Sequence, residues 1–119
     1  MRADDAAGFE VLLADEHARA LVRIAGLERD LSALMDATEA SPDDEHDPEG
    51  ATIGFERAQV TALLDRTRSH LAEIAEARAR VADGSYGRCQ RCGHAIGTER
   101  LRARPTARRC IGCAEVSGA

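Results

Sequence analysis

The chain has 119 residues with no Trp, two Phe and one Tyr, so a rich globular core is excluded and a supplement such as a metal is expected. Net charge is −5, unevenly divided: residues 1–56 carry 15 acidic and 4 basic side chains, and residues 57–119 carry 6 and 12. An acidic front half argues against the whole chain wrapping nucleic acid, while the basic back half suits an acidic surface, the front half of the same chain included.

All 16 basic residues are Arg, which with the abundant Ala fits coding bias and is given no functional weight. No apolar run approaches the roughly 20 residues of a membrane span. Met1-Arg2-Ala3-Asp4-Asp5 lacks the apolar stretch of a secretory signal. A cytoplasmic, membrane-free protein is expected. In that reducing compartment four Cys in two close pairs favour metal over disulfides.

After an expected tail at 1–8, Leu13, His17, Ala20, Ile24, Leu27, Leu31, Leu34 and Thr38 follow alternating steps of four and three. This is an a/d heptad seam with two polar positions, and Arg19, Arg23, Glu28, Asp30 and Asp36 supply the solvated face. The pattern breaks at Ser41-Pro42-Asp43-Asp44-Glu45-His46-Asp47-Pro48-Glu49-Gly50, where two prolines and a glycine stop a helix. Five of those ten residues are acidic, so 41–52 reads as an acidic tip. Periodicity resumes with Ile53, Val60, Thr67, Ile74 and Val81 spaced by seven, and Leu64 and Leu71 on the second seam position. Asp83-Gly84-Ser85 ends the run, with Gly84 suited to the left-handed residue after a helix. The expected fold is all-α dominated: a long antiparallel helical hairpin, a coiled coil over 9–84, followed by a small C-terminal module. Each arm of about 30 residues spans about 45 Å.

Cys89-Gln90-Arg91-Cys92 and Cys110-Ile111-Gly112-Cys113 are both C-x₂-C, with 17 residues between the pairs. That spacing is a zinc ribbon's, and four thiolates close a tetrahedral shell with no position left for water. One structural zinc ion is therefore expected on Cys89, Cys92, Cys110 and Cys113, in a finger over 85–114 with a short tail at 115–119. A thioredoxin-like pair needs a βαβ context that the sequence lacks. His94, beside the knuckle, would be a fifth ligand and reads as an exposed loop residue. His17 on the seam sets register, and His46 in the tip is a solvated side chain.

The stretch Cys89-x₂-Cys92-x₃-Ile96-x₃-Arg100-x₄-Pro105-x₄-Cys110-x₂-Cys113 resembles the C4 zinc finger of the DksA/TraR family. Tyr86-Gly87 and Arg104-Pro105-Thr106-Ala107 carry the same likeness, and Gln90 departs from it where members usually have an acidic residue or Ser. The resemblance implies a bacterial transcription regulator that binds RNA polymerase directly, as a monomer and without needing DNA. Its hairpin would enter the secondary channel and bring tip carboxylates near the catalytic magnesium. The best-known member has two tip aspartates three residues apart, the first followed by Pro. Asp47-Pro48 matches the first, and Gly50 stands at the second. Asp44 restores an acidic pair in a shifted register, so Asp47 is the leading tip residue, with Asp44 and Glu49 behind it.

The resemblance also implies polymerase or ppGpp contacts at Arg66 and Arg104. Glu73 and Ala114 fall where the best-known member has lysines, so weak or absent synergy with that alarmone is expected. Arg100, Arg102, Arg104, Arg108 and Arg109 form a basic cluster in the finger. It fits acidic protein surface, internal charge balance or phosphates, and the lack of aromatic stacking platforms counts against the last. No nucleophile–base pair, phosphate loop or open metal site appears, so no enzyme is expected. Two alternatives stand beside the regulator: a zinc-ribbon nucleic-acid-binding module using the Arg cluster, and a structural coiled-coil adaptor.

Overall fold

The computed structural model describes residues 1–40 and 48–117. In chain order they form α1 (Ala3–Ala40), α2 (Pro48–Asp83), α3 (Thr98–Ala103) and α4 (Ile111–Ser117). Among the described residues, β-structure amounts to one isolated antiparallel bridge between Arg88 and Ala95. The fold is thus dominated by the long helical hairpin of α1 and α2, with the cysteine-bearing module after it. Contacts divide the chain into two units, Arg19–Leu71 and Met1–Ala18 with Ala72–Ala119, and both long helices contribute to each.

In the unit Arg19–Leu71 the heptad seam is the core. Ala20, Ile24 and Leu64 are buried, and Leu27, Leu31, Leu34, Ile53, Val60 and Leu71 are half-buried. The polar seam residues Thr38 and Thr67 cost little, because each hydroxyl donates to the carbonyl four residues earlier, Leu34 at 2.9 Å and Leu63 at 2.7 Å. An ion pair joins Arg68 of α2 to Glu28 of α1 at 3.5 Å and records the antiparallel register. Both partners are half exposed, so the pair is worth at most about 1 kcal/mol.

The other unit holds the denser core. Leu13, Ile74 and Leu101 are fully buried, joined by Phe9, Ala77, Tyr86, Ile96 and Ala107. Phe9 packs against Tyr86, ring centroids 5.5 Å apart and planes at 51°, a tilted arrangement that suits the aromatic quadrupole. The Tyr86 hydroxyl donates to the Pro105 carbonyl at 2.7 Å, which satisfies both buried groups. α2 stops in a Schellman turn: Gly84 takes φ 84°, its N–H reaches the Val81 carbonyl at 3.4 Å, and the Ser85 N–H reaches Arg80 at 3.0 Å.

Helix extents differ from the sequence reading at three places. Residues 1–8, expected as a tail, lie largely in α1, where Asp4 and Asp5 in the first turn complement the helix dipole. α2 starts inside the expected tip, since Pro at the first helical position removes an N–H that has no partner there anyway. α4 extends to Ser117, into the expected C-terminal tail.

Candidate metal centre

Local backbone geometry builds the first knuckle. The Cys89 N–H donates to the His94 carbonyl at 2.8 Å, the Gly93 N–H returns to the Cys89 carbonyl at 2.9 Å, and Gly93 takes φ 78°. A side chain at Gly93 would be strained in that left-handed conformation, so glycine there lets the chain reverse over the thiolate pair. The loop is tied at its base by Ile96 N–H to Gly87 at 2.8 Å. The second knuckle opens α4: Cys110 precedes the helix and its carbonyl accepts the Ala114 N–H at 2.9 Å, while Cys113 lies in the first turn. The Gln90 N–H donates to the Arg108 carbonyl at 2.8 Å and ties the two knuckles together.

These bonds gather four sulfurs. The Sγ atoms of Cys89, Cys92, Cys110 and Cys113 all lie within 4.8 Å of one another, and those of Cys92 and Cys110 are 3.8 Å apart. Zinc–sulfur bonds of about 2.3 Å place tetrahedral ligands about 3.8 Å apart, so the donor set fits one zinc ion. Charge distribution agrees. Backbone N–H donation from Cys92, with further donors at Cys110 and Arg91, pulls the Cys89 thiol down to about 5. Hydrogen bonding among the crowded sulfurs, that with Cys110 first, pushes Cys113 up to about 12. Cys89 thus favours the thiolate and Cys113 the thiol, and a divalent ion at the centre of the four sulfurs would favour the thiolate at both. The site is that of one structural zinc, which when bound closes the shell with four thiolates and offers no open coordination position.

Around the centre, the Arg100 Nε donates to the Arg109 carbonyl at 2.8 Å and fixes part of the basic cluster to the backbone. Arg108 meets Glu76 at 3.7 Å across an exposed pair. Arg102 and Arg104 are exposed, and Arg104 caps the C-terminus of α3. The Arg80 Nη2 is buried without a hydrogen-bond partner among the described residues, and burial is the main cause that lowers its pKa. His94 is exposed and outside the sulfur cluster, and His17 is half-buried on the seam. Arg66 is exposed on α2. Glu49 belongs to the first turn of α2, whereas Asp44, His46 and Asp47 lie outside the described residues.

Two contributors escape the sequence reading. Phe9 stands one step of four before Leu13, so extending the seam upstream would have flagged it. The exposure of Ile111, at 63%, has no sequence signal, because an aliphatic inside a C-x₂-C pair reads as core.

No described helix is long and apolar enough to cross a membrane. Residues 84–117 match the prokaryotic dksA/traR C4-type zinc finger family. The RNA polymerase-binding transcription factor DksA of Caulobacter vibrioides is 46% identical over 57 residues, covering 48% of this chain and 40% of that protein. The Escherichia coli K12 protein of the same name is 45% identical over 49 residues, 41% of this chain and 32% of that one. These sequence matches therefore span less than half of either relative. The solved structure of transcription factor DksA2 from Pseudomonas aeruginosa aligns over 99% of this chain and 86% of its own, at 31% identity and a TM-score of 0.84. Likeness at that identity through both the hairpin and the finger, with all four thiolates converging, means that the chain belongs to the DksA/TraR C4-type zinc finger family.

Proposed function

We propose that this protein is a cytoplasmic transcription regulator that binds RNA polymerase directly and modulates initiation by inserting the hairpin tip into the secondary channel. The observation that carries the reading is the alignment of 99% of the chain with a DksA2 structure, arms and finger together. A finger match by itself would fit any small zinc module. In this reading the protein acts as a monomer, performs no catalysis of its own and makes no direct DNA contact. Asp47 is the tip residue nearest the polymerase active site, supported by Asp44 and Glu49. Carboxylates in a confined channel act on basic groups or divalent ions with reduced screening.

Multi-round transcription with the cognate polymerase tests this reading. Wild-type protein changes transcript levels, whereas Asp47→Asn loses most of that effect and still binds core polymerase after nuclease treatment. Unchanged transcription with the wild type would leave a structural adaptor in its place. A gel shift with a steep salt dependence, together with loss of polymerase capture on nuclease treatment, would favour nucleic-acid binding instead.

Arg66 and Arg104 are proposed polymerase or alarmone contacts. Glu73 and Ala114 replace two lysines of the best-known family member, removing charge-assisted bonds worth about 1.5–3 kcal/mol each. Synergy with ppGpp is accordingly expected to be weak or absent. Calorimetry on the polymerase complex checks this, and tight ppGpp binding that depends on Arg66 would contradict it.

A further inference from the structure

α1 carries apolar side chains on two faces. The first is the seam toward α2, on which Ala20 and Ile24 are buried. On the opposite face Val11, Ala14, Ala18, Leu21 and Ala25 recur in steps of three and four, and Val22 adjoins them. Val11 is 62% exposed, Leu21 47% and Val22 73%, and Ala18 and Ala25 are exposed as well. α1 runs unbroken from Ala3 to Ala40, so this face belongs to one helix. A solvated helix face is ordinarily polar, and a second heptad seam is the pattern of a helix that meets another helix.

We propose that this face pairs with the same face of a second copy of the chain, the two α1 helices running antiparallel. Charge complementarity selects both the occupant and the direction. Residues 3–16 carry Asp4, Asp5, Glu10, Asp15 and Glu16 and no basic side chain, whereas residues 17–29 carry Arg19, Arg23 and Arg29 against Glu28. Glu28 is already engaged by Arg68. An antiparallel pair sets the acidic stretch of each copy against the basic stretch of the other, while a parallel pair would set like against like. With Val11 of one copy opposite Val22 of the other, the register also brings Asp4 opposite Arg29 and Asp15 beside Arg19, each twice by the two-fold symmetry. From Asp4 to Arg29 the strip is about 37 Å long and about 10 Å wide, on the order of 400 Å² per copy against roughly 800 Å² in a standard interface. The pair therefore exchanges with single chains. It is a state of the free protein, goes beyond the polymerase reading, in which one chain acts, and does not rest on it.

Sedimentation equilibrium of the full-length, zinc-loaded protein tests the pairing. Between about 10 µM and 1 mM the mass is expected to rise from one chain toward two, and the rise to weaken as salt is added. Val11→Gln with Val22→Gln removes the apolar contact and leaves single chains throughout, with helix content confirmed by circular dichroism. Arg29→Asp weakens pairing at least about tenfold, as a like charge set opposite Asp4 does. Adding Asp4→Arg to that variant restores it, which only the antiparallel arrangement allows. Arg78→Gln, exposed on α2, leaves it unchanged. A single-chain mass over the whole range, growth beyond two chains, pairing that survives the loss of both valines, or a double exchange that fails to restore pairing would overturn the proposal. Core polymerase binding lost in the Val11→Gln, Val22→Gln variant, by a wild type that stays single, would assign the face to polymerase and overturn it likewise. Pairing by a protein that fails to bind polymerase would support the proposal and count against the polymerase reading.

Discussion

Tyr86 concentrates several physical effects in one residue. Its ring packs on Phe9, its hydroxyl serves the Pro105 carbonyl, and burial pushes its pKa up to about 12 from an ordinary 10. The folded state therefore holds the phenol proton more tightly than the unfolded chain does. This contribution is complete below the unfolded value near pH 10 and is lost as pH rises toward 12. Tyr86→Phe leaves a buried carbonyl unpaired and is expected to cost about 1–3 kcal/mol at neutral pH. Urea denaturation of the zinc-loaded protein measures it. The gap between wild type and Tyr86→Phe should narrow between pH 10 and 12; a gap independent of pH would contradict the assignment.

At the scale of the elements, the two long helices rest on seams of different quality. Ile74 is fully buried, with Ala77 and Leu13 equally enclosed, whereas most seam positions in Arg19–Leu71 are half-buried. Ile74→Ala should cost about 2–5 kcal/mol, and Val60→Ala, at a half-exposed position, distinctly less. Thermal melts of the two variants separate these outcomes. Gly84→Ala forces an L side chain to φ 84° and should cost about 1–2 kcal/mol, although a Cβ there meets open space. The penalty is conformational, so Gly84→Asn should recover part of it.

For the molecule as a whole, the finger lacks strands and regular ladders, and its helices α3 and α4 have 6 and 7 residues. Such short helices are not stable by themselves, and structural zinc supplies about 10–16 kcal/mol in comparable modules. Complete chelation is expected to melt residues 86–113 while α1 and α2 keep most of their helical signal. Amide spectra and circular dichroism, recorded with and without zinc, report the two parts separately. Unchanged amide shifts in the finger after zinc removal would show that the apolar core around Leu101 holds it without metal.

Most of the architecture was legible because its signals are local. A heptad seam is written in steps of three and four, and the positions read from it, Leu13 to Thr38 and Ile53 to Val81, are all buried or half-buried. The ligand set was legible for the same reason, since C-x₂-C brings two thiolates to one ion by local backbone geometry. Spacing could not reveal partners distant in the chain. The bond from Tyr86 to Pro105 spans 19 positions, and that from Arg100 to Arg109 spans 9 through a turn no periodicity encodes. Nor could it reveal which aliphatic faces outward, because Ile96 and Ile111 carry the same side chain, yet the first is buried and the second exposed. The sequence by itself determined the helical arms, their stop at Gly84 and the zinc ligands. Tertiary structure alone decided the aromatic contact of Phe9 and the outward face of Ile111, since both depend on where distant segments meet.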